Sequence, residues 1–464
     1  MIRKRAGQRS FSDAILFGAH IPDPKTLLDP VLRQLDDVLD SDDLVDEVLD
    51  ALRKRHPQSS RRGRPGTPAE VALRLLVLKH VRQWSFEELQ WEVTGNVAYR
   101  AFCRIDSGKV PDAKTMIRIN QAIDEATLRR VFERVVEEAK RRKVTRGRRM
   151  RVDTTVVETG VRYPLDSGLC EDVTRVACRE MERVRAAGLP VPDTFRNVRR
   201  SVARRLYEIE QIGRRPTSRE AKLEALKNPY KRLLRITGRL VRQATAIVES
   251  SKRLRRTIPG SIARSLGVLQ RVVLLGQQVI AQTRARVLRG ETKSEGKLVS
   301  IFEPHTKIIR KGKKHKPTEF GRTVKVQEAE GGVVTDIAVV DGHDSTLVES
   351  SIAAHERHFG RVPHVLSADR GFYSTANIAR AAELGVRHIV IPKPGHRSDA
   401  VRAKEQTRTF RRARAWRAGG EARISRLKRT FGMARSRYRG EAGLARCTYW
   451  AAISNNLVAI AKAA

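Results

Sequence analysis

The sequence predicts an α/β fold. A mixed sheet under helical cover follows an N-terminal helical domain, and a long helical, coiled-coil-like block separates its first strand from the rest. Three observations predict this. Apolar residues recur at helical spacing from Val71 to Val136. They then step by fours and threes from Leu233 to Ile280, the seam of a long helix hairpin. The period falls to two around Met150–Val156 and again after Leu298, where strands and helices alternate. A chain of 464 residues has room for about three domains, at roughly 150 residues each.

Residues 1–66 are loosely patterned and Asp-rich, ending in the basic, turn-prone SSRRGRPG. Gly63-Arg64-Pro65 reads as a solvated linker or a segment for a minor groove. A helix start follows: Thr67 can cap, Pro68 takes the first helical position, and Glu70 completes a capping box ahead of Val71, Leu75 and Leu78. Ser85 with Glu88 marks a second start. Pro111-Asp112 marks a third, ahead of Met116, Ile119 and Ile123. Leu128, Val131, Phe132, Val135 and Val136 line a fourth helix. Such a domain suits a helix-turn-helix DNA reader or plain helical packing equally.

A basic connector, Lys140 to Arg151, leads into a strand in which Met150, Val152, Thr154 and Val156 face one way and Asp153 the other. Residues 171–290 are helical and basic. Phe195, Val198, Val202, Leu206 and Ile209 mark one helix, Asn228-Pro229 interrupts the next, and Gly290 closes the block. Strands are then expected at Leu298–Phe302, Thr323–Gln327 and Val333–Val340, the last two joined by the turn Glu330-Gly331-Gly332. A helix at Ser345–His358, a strand at His364–Ala368, a helix at Thr375–Leu384 and a strand at His388–Ile391 follow. Two more helices close the chain, one opened by Glu421, the last striped by Trp450, Ile453, Leu457 and Ile460.

Charge narrows the function. Lys and Arg number 93 against 52 Asp and Glu, a net charge of +41. A bias toward Arg codons accounts for Arg in place of Lys, but not for the excess of bases over acids. Nucleic acid is the expected partner. No apolar run reaches the roughly 18 residues of a membrane span. MIRKRAGQRS leads into no apolar signal core. Cys103, Cys170, Cys178 and Cys447 lack Cys-x-x-Cys spacing, which argues against disulfides and zinc and fits a reducing cytoplasm.

Three acids stand where chemistry is expected. Asp is depleted in strands, yet Asp153 sits in one. Asp369 lies just past a strand end, where ligands gather in open α/β sheets. Glu421 opens a helix among bases. Converging at one sheet edge, the three carboxylates could hold two Mg²⁺ (or Mn²⁺) ions for phosphoryl transfer. Arg417 and Lys428 share Glu421's face if the helix persists through Gly419-Gly420.

VDTTVVE, LSADRGFYS and RAGGEARISRLKR, in that order, resemble a DDE transposase of bacterial insertion sequences, closest to the ISNCY-type group and its relatives. GRPGTPAEVALRLLVLKHVRQWSFEELQWEVTGNVAYRAF resembles that group's N-terminal helical domain, and IFEPHTKIIRKGKKHKPTEFGRTVKVQ the point where its catalytic sheet resumes. The resemblance implies an RNase H-like catalytic core with Asp153, Asp369 and Glu421 as catalytic and metal-binding residues. It also implies an Arg-x3-Glu-x6-Lys signature in Arg417, Glu421 and Lys428. Arg414 stands where many relatives carry a Tyr, and with Arg370, Arg417 and Lys428 it joins the expected DNA contacts.

The helical block then becomes an insertion. The chain divides into an extension and linker (1–66), a helical domain expected to bind DNA (67–145), the first part of the core (146–170), the insertion (171–296) and the remaining core with its C-terminal helices (297–464). The expected function is binding of terminal inverted repeats, metal-dependent cleavage and strand transfer into target DNA, by a homo-oligomer in the bacterial cytoplasm, at the nucleoid when bound to DNA. A transposase-derived binding protein without activity and an RNase H-like nuclease without strand transfer are the alternatives.

Overall fold

In the computed structural model, residues 2–5, 24–55, 57–60, 66–105, 108–252, 259–292, 296–310 and 317–463 are described. Gly63-Arg64-Pro65 lies outside them. The chain forms two compact units, Met1–Glu158 with Arg322–Ala464, and Thr159–Gly321.

Among its described residues the first unit opens with seven α-helices: α1 (Pro30–Leu39), α2 (Asp42–Arg55), α3 (Ala69–Arg82), α4 (Phe86–Gly95), α5 (Val97–Phe102), α6 (Ala113–Ala122) and α7 (Glu125–Arg141). The first two occupy the stretch that looked loosely patterned. Asp29 caps α1 by accepting from the Leu32 N–H at 3.0 Å, with Pro30 at the first position. Its Leu32, Leu35, Val38 and Leu39 are buried, so the many acids masked an amphipathic stripe. Ser85 and Glu88 form the expected capping box. Thr67 and Glu70 do not. The first two N–H groups of α3 donate instead to the backbone carbonyls of Arg3 and Lys4, at 3.0 and 3.1 Å, which leaves Glu70 for ion pairs with Arg5, Arg74 and Arg104.

β1 (Arg149–Glu158) follows, and the chain passes into the second unit. This is a bundle of α8 (Asp166–Ala186), α9 (Arg199–Arg214), α10 (Arg219–Lys252) and α11 (Gly260–Thr283). The expected seam is buried at Leu233, Thr237, Leu240, Ala244 and Ile247. A Cβ on Gly276 would lie 3.0 Å from Val241 and 3.1 Å from Val173, so glycine lets three helices close up there. Pro229 does not interrupt α10. It is buried with Tyr230, Leu233 and Leu234, and packing outweighs the one lost backbone bond. The strand expected at Leu298–Phe302 is absent. The Gln282 amide takes both backbone groups of Leu298, each at 3.0 Å, and leaves no ladder to form. A short β2 (Lys307–Ile309) pairs antiparallel with the first residues of β3 (Glu319–Glu328).

The first unit resumes within β3 and adds β4 (Val334–Val340), α12 (Val348–Phe359), β5 (Val365–Ala368), α13 (Thr375–Glu383), β6 (His388–Val390), α14 (Asp399–Gln406), α15 (Arg408–Thr430) and α16 (Glu441–Ala463). The strand order is β3-β1-β5-β6, with β4 on the far side of β3. β1, β5 and β6 run parallel, while β3 and β4 form an antiparallel hairpin. This is the mixed sheet that the periods implied. The final helix differs from its expected stripe. Residues from Gly443 to Ala461 are buried on every side of α16, which packs against α1, α3, α7 and β4. Among the described residues no helix is long and apolar enough to cross a membrane.

Candidate active site

The parallel register between β1 and β5 builds the site. Arg151 lies opposite Ser367 and Val152 opposite Ala368. The next residue on each chain is an aspartate, so Asp153 and Asp369 emerge side by side. Each is fixed by its own backbone. Asp153 Oδ1 accepts from the Thr154 N–H at 2.7 Å. Asp369 caps the short turn Arg370–Phe372 by accepting from the Gly371 N–H.

A guanidinium stands between them. Arg417 Nη2 lies 3.2 Å from Asp153 Oδ2 and 3.6 Å from Asp369 Oδ2. Its Nε is buried and has no partner among the described residues. Burial pushes the Asp153 carboxyl above its ordinary pKa, and the charge of Asp369 pushes the same way. The Thr154 N–H and Arg417 oppose them. Two acids thus share one cation.

Helix α15 delivers Arg417 and is bolted to the sheet by residues that periodicity did not single out. Glu328 on β3 is buried and accepts from Arg151 at 2.7 Å and from Arg423 at 3.2 Å. Arg151 also donates to the Trp416 carbonyl and lies 4.7 Å from that ring. A Cβ on Gly419 would come within 2.9 Å of Arg151, so Gly419-Gly420 admits this side chain instead of ending the helix. α15 therefore persists, and Glu421 lies within it rather than opening it. By helical phase Arg414, Arg417, Glu421 and Lys428 share one face.

The structure joins Asp153 and Asp369 through Arg417. Glu421 is exposed, one turn beyond. Among the described residues no group of three or more His, Cys, Asp or Glu side chains is arranged to hold a metal ion. Arg370 and Arg414 are exposed, and Lys428 is half-buried. A further acid borders the site. Asp344 accepts from the Thr154 hydroxyl at 2.9 Å, and a Cβ on Gly371 would lie 3.1 Å from both Asp344 and Asp369. Its signal in the sequence was weak, since Gly342-His343-Asp344 also reads as an ordinary turn.

The fold and site together define an α/β protein in which a basic helix lies over two neighbouring aspartates, one within β1 and one just past the end of β5. Two family models match the chain: "Transposase domain (DUF772)" over residues 17–122 and "Transposase DDE domain" over residues 297–457. Both are transposase families, and together they support a DDE transposase of insertion sequences. No curated protein and no solved structure matches it.

Proposed function

We propose that the chain binds the terminal inverted repeats of its element, cleaves there in a metal-dependent reaction and transfers the strand to target DNA. The observation that carries this reading is the matched pair Asp153–Asp369, held by register and sharing one cation. The donor set fits a hard divalent ion such as Mg²⁺ or Mn²⁺, because oxygen ligands converge where a positive charge already sits. Asp153 and Asp369 would hold it, with Glu421 as third carboxylate and two ions as the full complement. When bound, the ions acidify the attacking water or 3′-hydroxyl and neutralise charge at phosphorus.

The protein's own groups do the rest. The Thr154 and Gly371 N–H groups hold one oxygen of each aspartate and leave Oδ2 facing the reacting centre. Arg417 exchanges its carboxylate partners for a phosphate, which its planar fork suits. Arg370, Arg414 and Lys428 add phosphate contacts beside it. Asp344 keeps Thr154, and through it β1, in register with the Asp369 turn.

The test uses the full chain, end-labelled inverted-repeat DNA and Mg²⁺. Nicked and joined products are expected. Asp153→Asn should abolish both and keep DNA binding. Nicks without joined product would leave a nuclease. Full Mg²⁺-dependent cleavage by Asp153→Asn would overturn the assignment.

A further inference from the structure

A second basic site lies in the first unit, built from the end of α3, the start of α4, part of α6 and the segment from Phe431 to Cys447. It is a cavity of about 400 Å³. That exceeds what a bare ion needs and falls in the range of about 300–1,000 Å³ typical of small-ligand pockets.

Lys79 is its unusual element. The residue is only 9% exposed, and its ammonium makes no hydrogen bond or ion pair among the described residues. It rests instead over two rings, 4.8 Å from Phe86 and 5.6 Å from Tyr438. Arg446 on the same wall is also 9% exposed. It donates to the Ile123 carbonyl at 3.2 Å, while its Nε is buried without a partner. Exposed Arg437 and Arg439 stand on the lining.

The neighbouring groups do not neutralise this charge. His80 is fully buried and is held neutral by desolvation and by Lys79. Its Nδ1 lies 2.7 Å from the Leu76 carbonyl and its Nε2 2.8 Å from the Tyr438 hydroxyl. The Cys447 thiol is pushed up to about 11 by burial. Glu88 is committed to the Ser85 capping box. Among the described residues Glu87 is the one carboxylate on the lining, and it is exposed.

A largely buried cation loses hydration that ring faces and a carbonyl restore only in part. Lys79 and Arg446, around an open cavity and without a carboxylate partner among the described residues, call for an anion. Aromatic faces at Trp84 and Phe86, with the amide of Gln121, supply surface for stacking and hydrogen bonding to a base.

We propose that this cavity binds one nucleotide, with its phosphate on Lys79, Arg437 and Arg446 and its base against the aromatic wall. The nucleotide is either part of a DNA strand or a free mononucleotide. Only the first source rests on the transposase reading.

Lysine acylation of the full chain at pH 8, read by peptide mass spectrometry, tests it. Burial, followed by the charge of Arg437, brings the Lys79 ammonium down to about 8, so it should label ahead of surface lysines. Deoxyadenosine monophosphate and an inverted-repeat duplex serve as probes. Slowing of Lys79 labelling by several-fold with the mononucleotide supports a free ligand. Slowing with the duplex alone, lost in Arg437→Ala, supports a strand nucleotide. If the duplex binds the chain yet neither probe slows Lys79, the cavity proposal falls and the DNA reading stands. If the mononucleotide protects Lys79 while no duplex binds, the DNA reading falls and the cavity stands. As a second readout, Lys79→Met should weaken mononucleotide binding in calorimetry at least tenfold with unchanged circular dichroism. Equal affinity would overturn the role of Lys79.

Discussion

Two arginines in the first unit face clusters of carboxylates, and they do opposite things. Arg74 on α3 is fully buried. Its Nη1 lies 2.6 Å from Asp36, its Nη2 2.6 Å from Asp40 and its Nε 3.4 Å from Glu70, with Arg104 on Asp36 and Arg5 on Glu70 as the second and third cations. Arg417 spans two aspartates at 3.2 and 3.6 Å, and all three side chains remain partly exposed. The first cluster is closely paired around the fully buried Arg74 and Asp36, with Asp40 at its exposed edge, and it fastens α1, α3 and the loop after α5. The second hangs two aspartates on one guanidinium, and no member of it is fully buried. Similar residue types thus make a rivet where a guanidinium and a carboxylate are both withdrawn from water and an exchangeable site where neither is.

The largest expected difference is in stability. Arg74→Ala removes the buried partner of Asp36 and leaves it only the half-buried Arg104 at 2.8 Å, and should cost about 3 kcal/mol. Arg417→Ala should cost under about 1 kcal/mol, as a partly exposed pair does. Urea denaturation of both variants checks this, and equal losses would erase the contrast. Glu328→Gln belongs with the rivets. It removes the counter-charge of the buried Arg151 and the half-buried Arg423, and should both destabilise the chain and slow cleavage as α15 loosens. Loss of stability with cleavage untouched would disconnect Glu328 from the site.

A smaller effect concerns pH. The pKa of Asp153 is raised on folding from the usual 3.8. The folded chain therefore holds that proton longer than the unfolded chain. Stability should fall as pH rises from the unfolded value through the raised one, and the loss is complete above it. Asp153→Asn removes this slope. Without divalent ions the variant should be more stable than the parent at neutral pH and equal to it at low pH. A neutral-pH loss on thermal melting would place Asp153 among the structural acids, beside Asp36.

The smallest effect is on DNA engagement. Arg417→Ala and Lys428→Ala should each weaken binding of the cleaved end by about 1–3 kcal/mol, as expected for a lost charge-assisted hydrogen bond. Each lost phosphate contact should reduce the salt slope of duplex affinity by about 0.9. Lys428→Ala with unchanged affinity and slope would make it a solvated base.

Local features of the site were legible. An aspartate within a strand and another just past a strand end stand out in the chain itself, and helical phase alone put Arg417, Glu421 and Lys428 on one face. What that phase could not tell is which of them meets the aspartates, because that depends on how α15 is seated. The seat is Glu328, 177 residues from its partner Arg151 and brought beside it only by the order β3-β1-β5. The fold shows the same division. The seam of α10 and the hairpin turn at Glu330–Gly332 were readable from neighbours in sequence. The capping of α3 by Arg3 and Lys4, the continuity of α10 through Pro229 and the missing strand at Leu298 depend on distant partners. α1 and α2 escaped because acids interleave closely with their apolar residues and mask the stripe in a short window.

Metal binding tests the Asp153–Asp369 pair most directly. Manganese titration of the DNA-free full chain, followed by the electron paramagnetic resonance of free Mn²⁺, should show binding that weakens as pH falls and Asp153 takes up its proton. Asp153→Asn should lose that binding. Arg417→Ala should bind more tightly than the parent, because the resident guanidinium no longer competes for the same oxygens. Identical isotherms for the parent and Asp153→Asn would contradict a metal site at this pair.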